Sequence, residues 1–369
     1  MENFYPLSKP WITQAESRRV TKAVESGWLT QAGQEVKTME DALQVLANSL
    51  SKRNYEVTST SNGTTALHLA LIAIGVKPGD EVIVPDFSYI AVINSVIYCG
   101  AIPILADVHP NTWNINPESV ESLITEKSKA IIAVDNYGNI SDIAGIRAVI
   151  SPNVKIIQDA AESFPTNISS YNLELGDVIT TSFYGNKILT SAEGGAVFGN
   201  SEIISKIKKL KNQAITQQGN FSHDEVGYNY RLTNVHAAIF NAQFERREEI
   251  LLERKRVFRR YSTNLDPLDI ILRTNSDSNP WLYTVELDVN QLSVSKIREE
   301  LNASGIETRP GFTPFSRHEH LKKFLGINFH PRYSLELSNK LLSFPTYPEL
   351  KNSDVDKICD SFIRLLHKD

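Results

Sequence analysis

Between residues 55 and 200, short apolar runs alternate with helical patterns, and this alternation confines the chain to a narrow set of folds. The run Glu81-Val82-Ile83-Val84-Pro85 follows the turn Pro78-Gly79-Asp80 and reads as a strand buried inside a sheet. Further strand candidates lie at 56–60, 102–105, 130–134 and 154–158, with helical patterns from residue 66 and at 90–99 and 117–125. Strands that alternate with helices predict an α/β fold with a mostly parallel sheet. Before this region, Thr13 can cap a helix over 16–26 that Gly27 ends, and a second helical pattern covers 36–50. After it, a long helical pattern over 235–265 leads to strand signals at 281–287 and 305–309 and helical signals at 293–304, 333–342 and 353–367. A chain of 369 residues exceeds what one core fills, so a large α/β domain over 1–250 and a small α+β domain over 251–369 are expected.

Several classes of function are disfavoured at once. A formal net charge of −5 gives no reason to expect nucleic acid or an anionic membrane as partner. Cys99 and Cys359 have no metal-binding spacing and suit a reducing compartment. The first residues lack the pattern of a signal peptide, and no apolar run approaches the roughly 20 residues of a membrane span. A cytoplasmic protein is the expectation.

Chemistry enters at the strand ends. Ser61-Asn62-Gly63-Thr64-Thr65 joins a strand to a helix start, where backbone N–H groups and hydroxyls can face an anion. A plain helix cap by Ser61 or Thr64 is the other reading. Tyr89 lies just past the strand 81–85, where it can stack on a flat ring or simply pack in the core. Asp159, at another strand end, can face a ligand or cap the next helix. The β-rich run 178–184 reaches a Gly185-Asn186 turn that delivers Lys187; a partly buried amine there suits covalent chemistry, and an exposed loop lysine is the other reading. His68, one turn inside the helix from residue 66, reads as a packed core histidine. An anion cradle, a strand-end acid and a lysine are the three things that pyridoxal 5'-phosphate needs: a phosphate site, a partner for the ring nitrogen and an amine for its aldehyde.

In their order, these segments resemble the DegT/StrS-type nucleotide-sugar aminotransferases, pyridoxal-phosphate enzymes of fold type I. The resemblance rests on Pro6-Leu7-Ser8-Lys9-Pro10, Ser26-Gly27-Trp28-Leu29-Thr30, Ser61 to Leu67, Pro78 to Val82, Asp159-Ala160-Ala161-Glu162, Ser182 to Lys187 with Glu193-Gly194-Gly195, and Gly227-Tyr228-Asn229-Tyr230-Arg231. It implies an aspartate-aminotransferase-like large domain. It makes Lys187 the lysine that links to the cofactor and relays the proton, and Asp159 the partner of the ring nitrogen. Tyr89 matches the stacking aromatic, and Gly63, Thr64 and Ser182 match phosphate ligands. Asn229 matches a phosphate ligand supplied by the neighbouring subunit, so a homodimer with shared sites is implied. Arg231 matches a group for the amino donor's carboxylate. Glu162 stands where the family often has Gln near the phenolic oxygen, and that departure leaves its protonation open.

Members that dehydrate sugars at C-3 resemble this chain but carry His in place of Lys187. The lysine therefore implies a full ping-pong transamination, with L-glutamate as donor, pyridoxamine phosphate as the intermediate cofactor form and a nucleotide-linked keto sugar as acceptor. The wording resembles enzymes that aminate C-4 of 4-keto-6-deoxyhexoses for surface polysaccharide such as O-antigen. A dTDP-linked sugar is favoured, with a GDP-linked one (perosamine type) or C-3 amination as alternatives, and a non-catalytic cofactor-bound regulator as the reading from another class. Arg309, Phe312 and His320 are candidates for touching the nucleotide sugar.

Overall fold

The structure is a computed structural model that describes residues 4–50, 54–165, 174–217, 220–288, 293–325 and 331–366. Seven strands, β1 (Glu56–Thr60), β2 (Glu81–Pro85), β3 (Ile102–Ala106), β4 (Ser128–Val134), β5 (Lys155–Asp159), β6 (Val178–Ser182) and β7 (Gly195–Gly199), form one sheet in the order β1-β7-β6-β5-β4-β2-β3. The pairs from β3 through β6 are parallel, and β7 runs antiparallel to both β6 and β1. The α/β class with a mostly parallel sheet is what the alternation predicts. From β2 the chain goes outward to β3 and then crosses to β4 on β2's other side. A crevice opens at such a reversal, outside the carboxyl ends of the strands.

Helices cover both faces: α1 (Gln14–Glu25), α2 (Gln34–Leu50), α3 (Gly63–Ala73), α4 (Ala91–Tyr98), α5 (Pro117–Leu123), α6 (Ile143–Val149), α7 (Ser201–Leu210) and α8 (Asn234–Glu245). The period of two along each strand divides the core. Val82 and Val84 of β2 and Ile132 of β4 join Leu67, Ile93 and Ile204 on one face, whereas Ile83 and Ile131 join Val120 and Ile146 on the other. Each fully buried side chain of this size contributes about 1.5–3 kcal/mol. Helix α3 buries every residue from Ala66 to Leu71, which matches a run that is apolar except for His68.

Beyond a hairpin of β8 (Ile215–Gln217) and β9 (Asn220–His223), the helix α9 (Arg247–Leu265) joins two cores. Its Ile250 and Leu251 pack with α2 and α8, while Val257, Phe258 and Tyr261 pack on a second sheet. That sheet is antiparallel, with β10 (Ile271–Thr274), β11 (Thr284–Leu287), β12 (Arg309–Pro310) and β13 (Leu341–Ser343) in the order β10-β11-β13-β12. Helices α10 (Val294–Ala303), α11 (Tyr333–Leu337) and α12 (Asn352–Leu366) accompany it.

Three expectations need correction. The helix expected over 235–265 breaks at Arg246, whose guanidinium lies 4.4 Å from the Trp11 ring and pairs with Glu16 at 3.2 Å, so contacts with the leader override local propensity. The pattern over 333–342 is a five-residue helix followed by β13, because Leu341 and Leu342 are consumed by the sheet. The strand expected over 305–309 shrinks to Arg309–Pro310, where the proline is tolerated because β12 is an edge strand.

Candidate active site

The carboxyl ends of the parallel strands meet at one cavity of about 470 Å³. Gly63, Thr64, Tyr89, Asp159, Glu162, Ser182, Lys187, Arg309 and Phe312 all line it. Among the residues expected at a site, Asn229, Arg231 and His320 do not.

At one end, α3 begins. Its cap is Asn62, rather than Ser61 or Thr64: the Asn62 side-chain oxygen accepts from the Thr65 N–H at 2.9 Å, and the Thr65 hydroxyl accepts from the Asn62 N–H at 3.1 Å. With the cap made by its neighbours, Gly63 and Thr64 keep their first-turn N–H groups, at the positive end of the helix, for the cavity. A Cβ built on Gly63 would lie 2.8 Å from the Ser182 Cβ, so only glycine lets the helix start come this close to β6. Backbone N–H groups with the Thr64 and Ser182 hydroxyls form a donor set without an acid, which fits a phosphate.

At the other end, Asp159 closes β5 and is buried. One carboxylate oxygen accepts from the Ala161 N–H at 3.1 Å, so it caps the following turn as well as facing the cavity. Burial pushes its carboxyl up to about 7, against the pull of the Ala161 N–H and of Lys187. A cationic ring N–H beside it would supply the counter-charge that burial withholds. Acid and cradle together thus fit pyridoxal phosphate from two sides.

Lys187 lies between them. Its backbone N–H donates to the Tyr184 carbonyl at 2.9 Å, closing the turn after β6. The amine sits 3.4 Å from Glu162 Oε1 and 4.2 Å from the centre of the Trp281 ring. The Trp281 indole N–H in turn donates to the Asn186 carbonyl at 2.8 Å. Behind the turn, buried Arg254 of α9 donates to the carbonyls of Trp281 at 2.8 Å and Lys187 at 3.5 Å. Burial lowers this guanidinium to about 10. A ring over the amine and a guanidinium behind its backbone hold the lysine turn from both sides.

Part of the remaining wall is aromatic, with Tyr89, Trp281 and Phe312 lining the cavity and Tyr137 and Phe87 buried behind them. Tyr137 stacks on Phe312 with centroids 5.0 Å apart, and Phe312 meets Phe87 and Tyr89 edge-on at 5.7 and 6.4 Å. Tyr89 itself is 60% exposed and lines the cavity, so its ring is not packed in the core. Tyr137 has φ 54°, the left-handed region, and its N–H donates to Glu162 Oε2 at 2.7 Å. Such a conformation in a non-glycine residue costs about 1–3 kcal/mol and is typical of sites that must aim a group.

The other expected residues lie elsewhere. Arg231 is tied to Asn229 at 2.8 Å and to Asn212 at 2.8 Å, outside its own chain's cavity, because a bridge between Asn212 and Asn229 draws this segment onto the loop after α7. His320 is exposed on a 3₁₀ turn with its ring against His318, so it does not reach the cavity from this conformation. His68 is buried among Tyr98, Tyr228 and Tyr230, as a core histidine should be. Sequence reasoning missed Trp281, Tyr137 and Arg254. Arg254 had a signal: it interrupts the buried stripe Ile250, Leu251, Val257 and Phe258, where a charge needs a partner. The fixed roles of Trp281 and Tyr137 come from chain segments far apart in sequence and had none.

A profile of the DegT/DnrJ/EryC1/StrS aminotransferase family matches residues 10–363. The GDP-perosamine synthase of Vibrio cholerae is 34% identical over 365 residues, covering 96% of this chain and 97% of its own. That of Escherichia coli O157:H7 is 33% identical, covering 97% of each chain. Among solved structures, a DegT DnrJ EryC1 StrS aminotransferase from Brucella abortus superposes with a TM-score of 0.85 at 26% identity, covering 96% of each chain.

Proposed function

This chain belongs to the DegT/DnrJ/EryC1/StrS aminotransferase family of pyridoxal-phosphate enzymes, and from that premise we propose that it moves an amino group from L-glutamate to C-4 of a GDP-linked 4-keto-6-deoxyhexose. The observation that carries a transamination is Lys187 set between a phosphate cradle and the buried acid Asp159 within one cavity. Two relatives named GDP-perosamine synthase, matched over nearly their whole length, support the GDP sugar. The dTDP-linked sugar expected at first is therefore set aside, and its alternative, the GDP-linked sugar, is adopted.

When bound, the cofactor supplies an electron sink for the carbon that loses a proton. The chain's own groups do the rest. Gly63, Thr64 and Ser182 hold the phosphate at the helix start. Asp159 would keep a proton on the cofactor's ring nitrogen, and Tyr89 would supply the aromatic surface for its ring. Lys187 would supply the amine for the covalent link and, once released, would take the proton from one carbon and return it to another. Arg309 and Phe312 line the side toward the small sheet and are the groups we assign to the nucleotide sugar.

We further assign Asn229 and Arg231 to the cavity of a second copy. They are displaced from their own cavity, and exposed Trp28, Tyr98 and Phe221 offer apolar area for pairing. Free Cys99 and Cys359 suit the cytoplasm, and no described helix is long and apolar enough to cross a membrane. An amino sugar made there would serve surface polysaccharide.

The test is incubation of purified protein with L-glutamate and, separately, GDP-linked 4-keto-6-deoxymannose, dTDP-linked 4-keto-6-deoxyglucose and a 3-keto sugar, with the amine located by NMR. Amination of the GDP sugar at C-4 is expected. Turnover of only the dTDP sugar or only the 3-keto sugar would sink the assignment.

A further inference from the structure

Among the described residues that line the cavity, Lys187 is the amine and Arg309 the other base, facing the acids Asp159, Glu162 and Glu193. Facing Glu162 are Lys187 from the turn after β6, Asp159 from β5, Asp135 from the end of β4 and the buried Tyr137 phenol; the Arg254 guanidinium lies on the far side of the Lys187 backbone. Asp135 is fully occupied by its own network, accepting from Ser163 at 2.7 Å, the Ser141 N–H at 2.9 Å and Gln158 at 3.1 Å. Asp159 accepts from the Ala161 N–H, and no described contact joins it to Lys187. Among the described acids, Glu162 is the one within 4 Å of the amine.

The two Glu162 oxygens are differently placed. Oε2 is fixed at 2.7 Å by the N–H of Tyr137, a residue held in a left-handed backbone conformation, and Oε1 is left 3.4 Å from the Lys187 amine. Both side chains are shielded, at 5% and 13% exposure, so water competes poorly for the proton between them. Burial raises the Glu162 carboxyl, while Lys187 and the Tyr137 N–H pull it down.

We propose that Glu162 is the resident proton partner of Lys187, pairing with its ammonium whenever the lysine is not covalently engaged and taking a proton from it to release the neutral amine. In that transfer one N–H bond breaks and one O–H bond forms, no electron is gained or lost, and the net charge of the cavity is unchanged. A neutral amine is what addition to a carbonyl carbon requires, and the carboxyl keeps the proton at hand for return. This role deepens the reading of Lys187 as the cofactor lysine and rests on it.

The substitution that isolates the proton is Glu162→Gln, which keeps the shape and an oxygen for the Tyr137 N–H but cannot exchange a proton. In the full chain freed of bound cofactor, Lys187 would be labelled with an amine-reactive reagent at neutral pH and read by mass spectrometry. Loss of the counter-charge is expected to raise the labelling rate about tenfold or more, since burial alone then disfavours the ammonium. Glu162→Asp, with a carboxyl on a shorter arm, is expected to fall between. With cofactor bound, the pH at which the visible band changes form should fall in Glu162→Gln, in the same direction. Equal labelling rates in wild type and Glu162→Gln with matching thermal melts, or a slower rate in the variant, would overturn the proposal. Labelling needs no cofactor, so a wild-type chain that shows no visible band defeats the cofactor reading, while the labelling result still decides the pairing.

Discussion

The two sides of the cavity are built by different means. The floor, with Gly63, Asp159, Ser182 and Lys187, grows from the carboxyl ends of β1, β5 and β6, and its side chains are placed by strand register inside one sheet. The mouth, with Trp281, Arg309 and Phe312, comes from the region of the second sheet and is tied across the gap by a few side-chain contacts. The Asp86 carboxylate accepts from the Ser316 N–H at 2.7 Å and hydroxyl at 2.8 Å, and Asp107 receives the N–H groups of Arg332, Tyr333 and Ser334 at 2.9–3.1 Å. A floor set by a cooperative sheet suits chemistry, which tolerates little displacement. A mouth held by separable contacts can be altered for a different substrate while the sheet stays intact.

If this division is right, substitutions on the floor should destroy chemistry or cofactor binding, and those at the mouth should weaken substrate binding. Lys187→Ala is the strongest test. It should abolish the visible band of the lysine–cofactor link and cut transamination by about four orders of magnitude or more. A surviving band would mean that another amine carries the link. Asp159→Asn should lower turnover by about 10²–10³-fold with cofactor still bound. It also has a signature in cofactor-free protein. The carboxyl is raised from 3.8 to about 7 in the fold, so the folded chain holds the proton more tightly than the unfolded one. The resulting stabilisation is full below about 3.8 and is lost as pH rises through about 7. Across that window Asp159→Asn should remove a downward slope worth a few kcal/mol at most, read from denaturant melts at several pH values. An unchanged slope would show that Asp159 is not the buried acid described.

Next in size is Gly63→Ala. The added Cβ would meet the Ser182 Cβ at 2.8 Å, and the strand on which Ser182 sits cannot yield without moving the sheet. Cofactor affinity, titrated by the visible band, should fall about tenfold or more, with kcat nearly restored at saturating cofactor. Unchanged affinity would remove the helix start from the phosphate site.

The floor was also the legible side. Lys187, Asp159, Gly63, Thr64 and Ser182 stand at strand–turn junctions, and the sheet that joins them follows from the period of two and the turns between the runs. What stayed hidden depends on contacts between distant segments. Trp281 looked like the first residue of a strand, and only the fold brings it over an amine from residue 187. The break at Arg246 comes from a leader ring and the leader's Glu16, and the unexpected β13 comes from sheet partners on either side of it. Arg231 came with the motif Gly227 to Arg231 and His320 with the stretch that follows Phe312, and neither signal says which way a loop is drawn.

The smallest effect should come from the mouth, and there it discriminates best. Phe312→Ala removes a ring that stacks on Tyr137 and meets Phe87 and Tyr89, contacts worth about 0.5–1.5 kcal/mol per pair beyond the area they bury. None of these partners belongs to the phosphate cradle or contacts Lys187 in the described structure. The expected outcome is a rise of about tenfold in KM for the keto sugar, little change in kcat and unchanged cofactor affinity. That split is the pattern of binding lost equally from ground state and transition state. If the cofactor instead leaves and KM is unmoved, the aromatic wall belongs to the floor, and substrate selection must be sought at Arg309 on the edge strand.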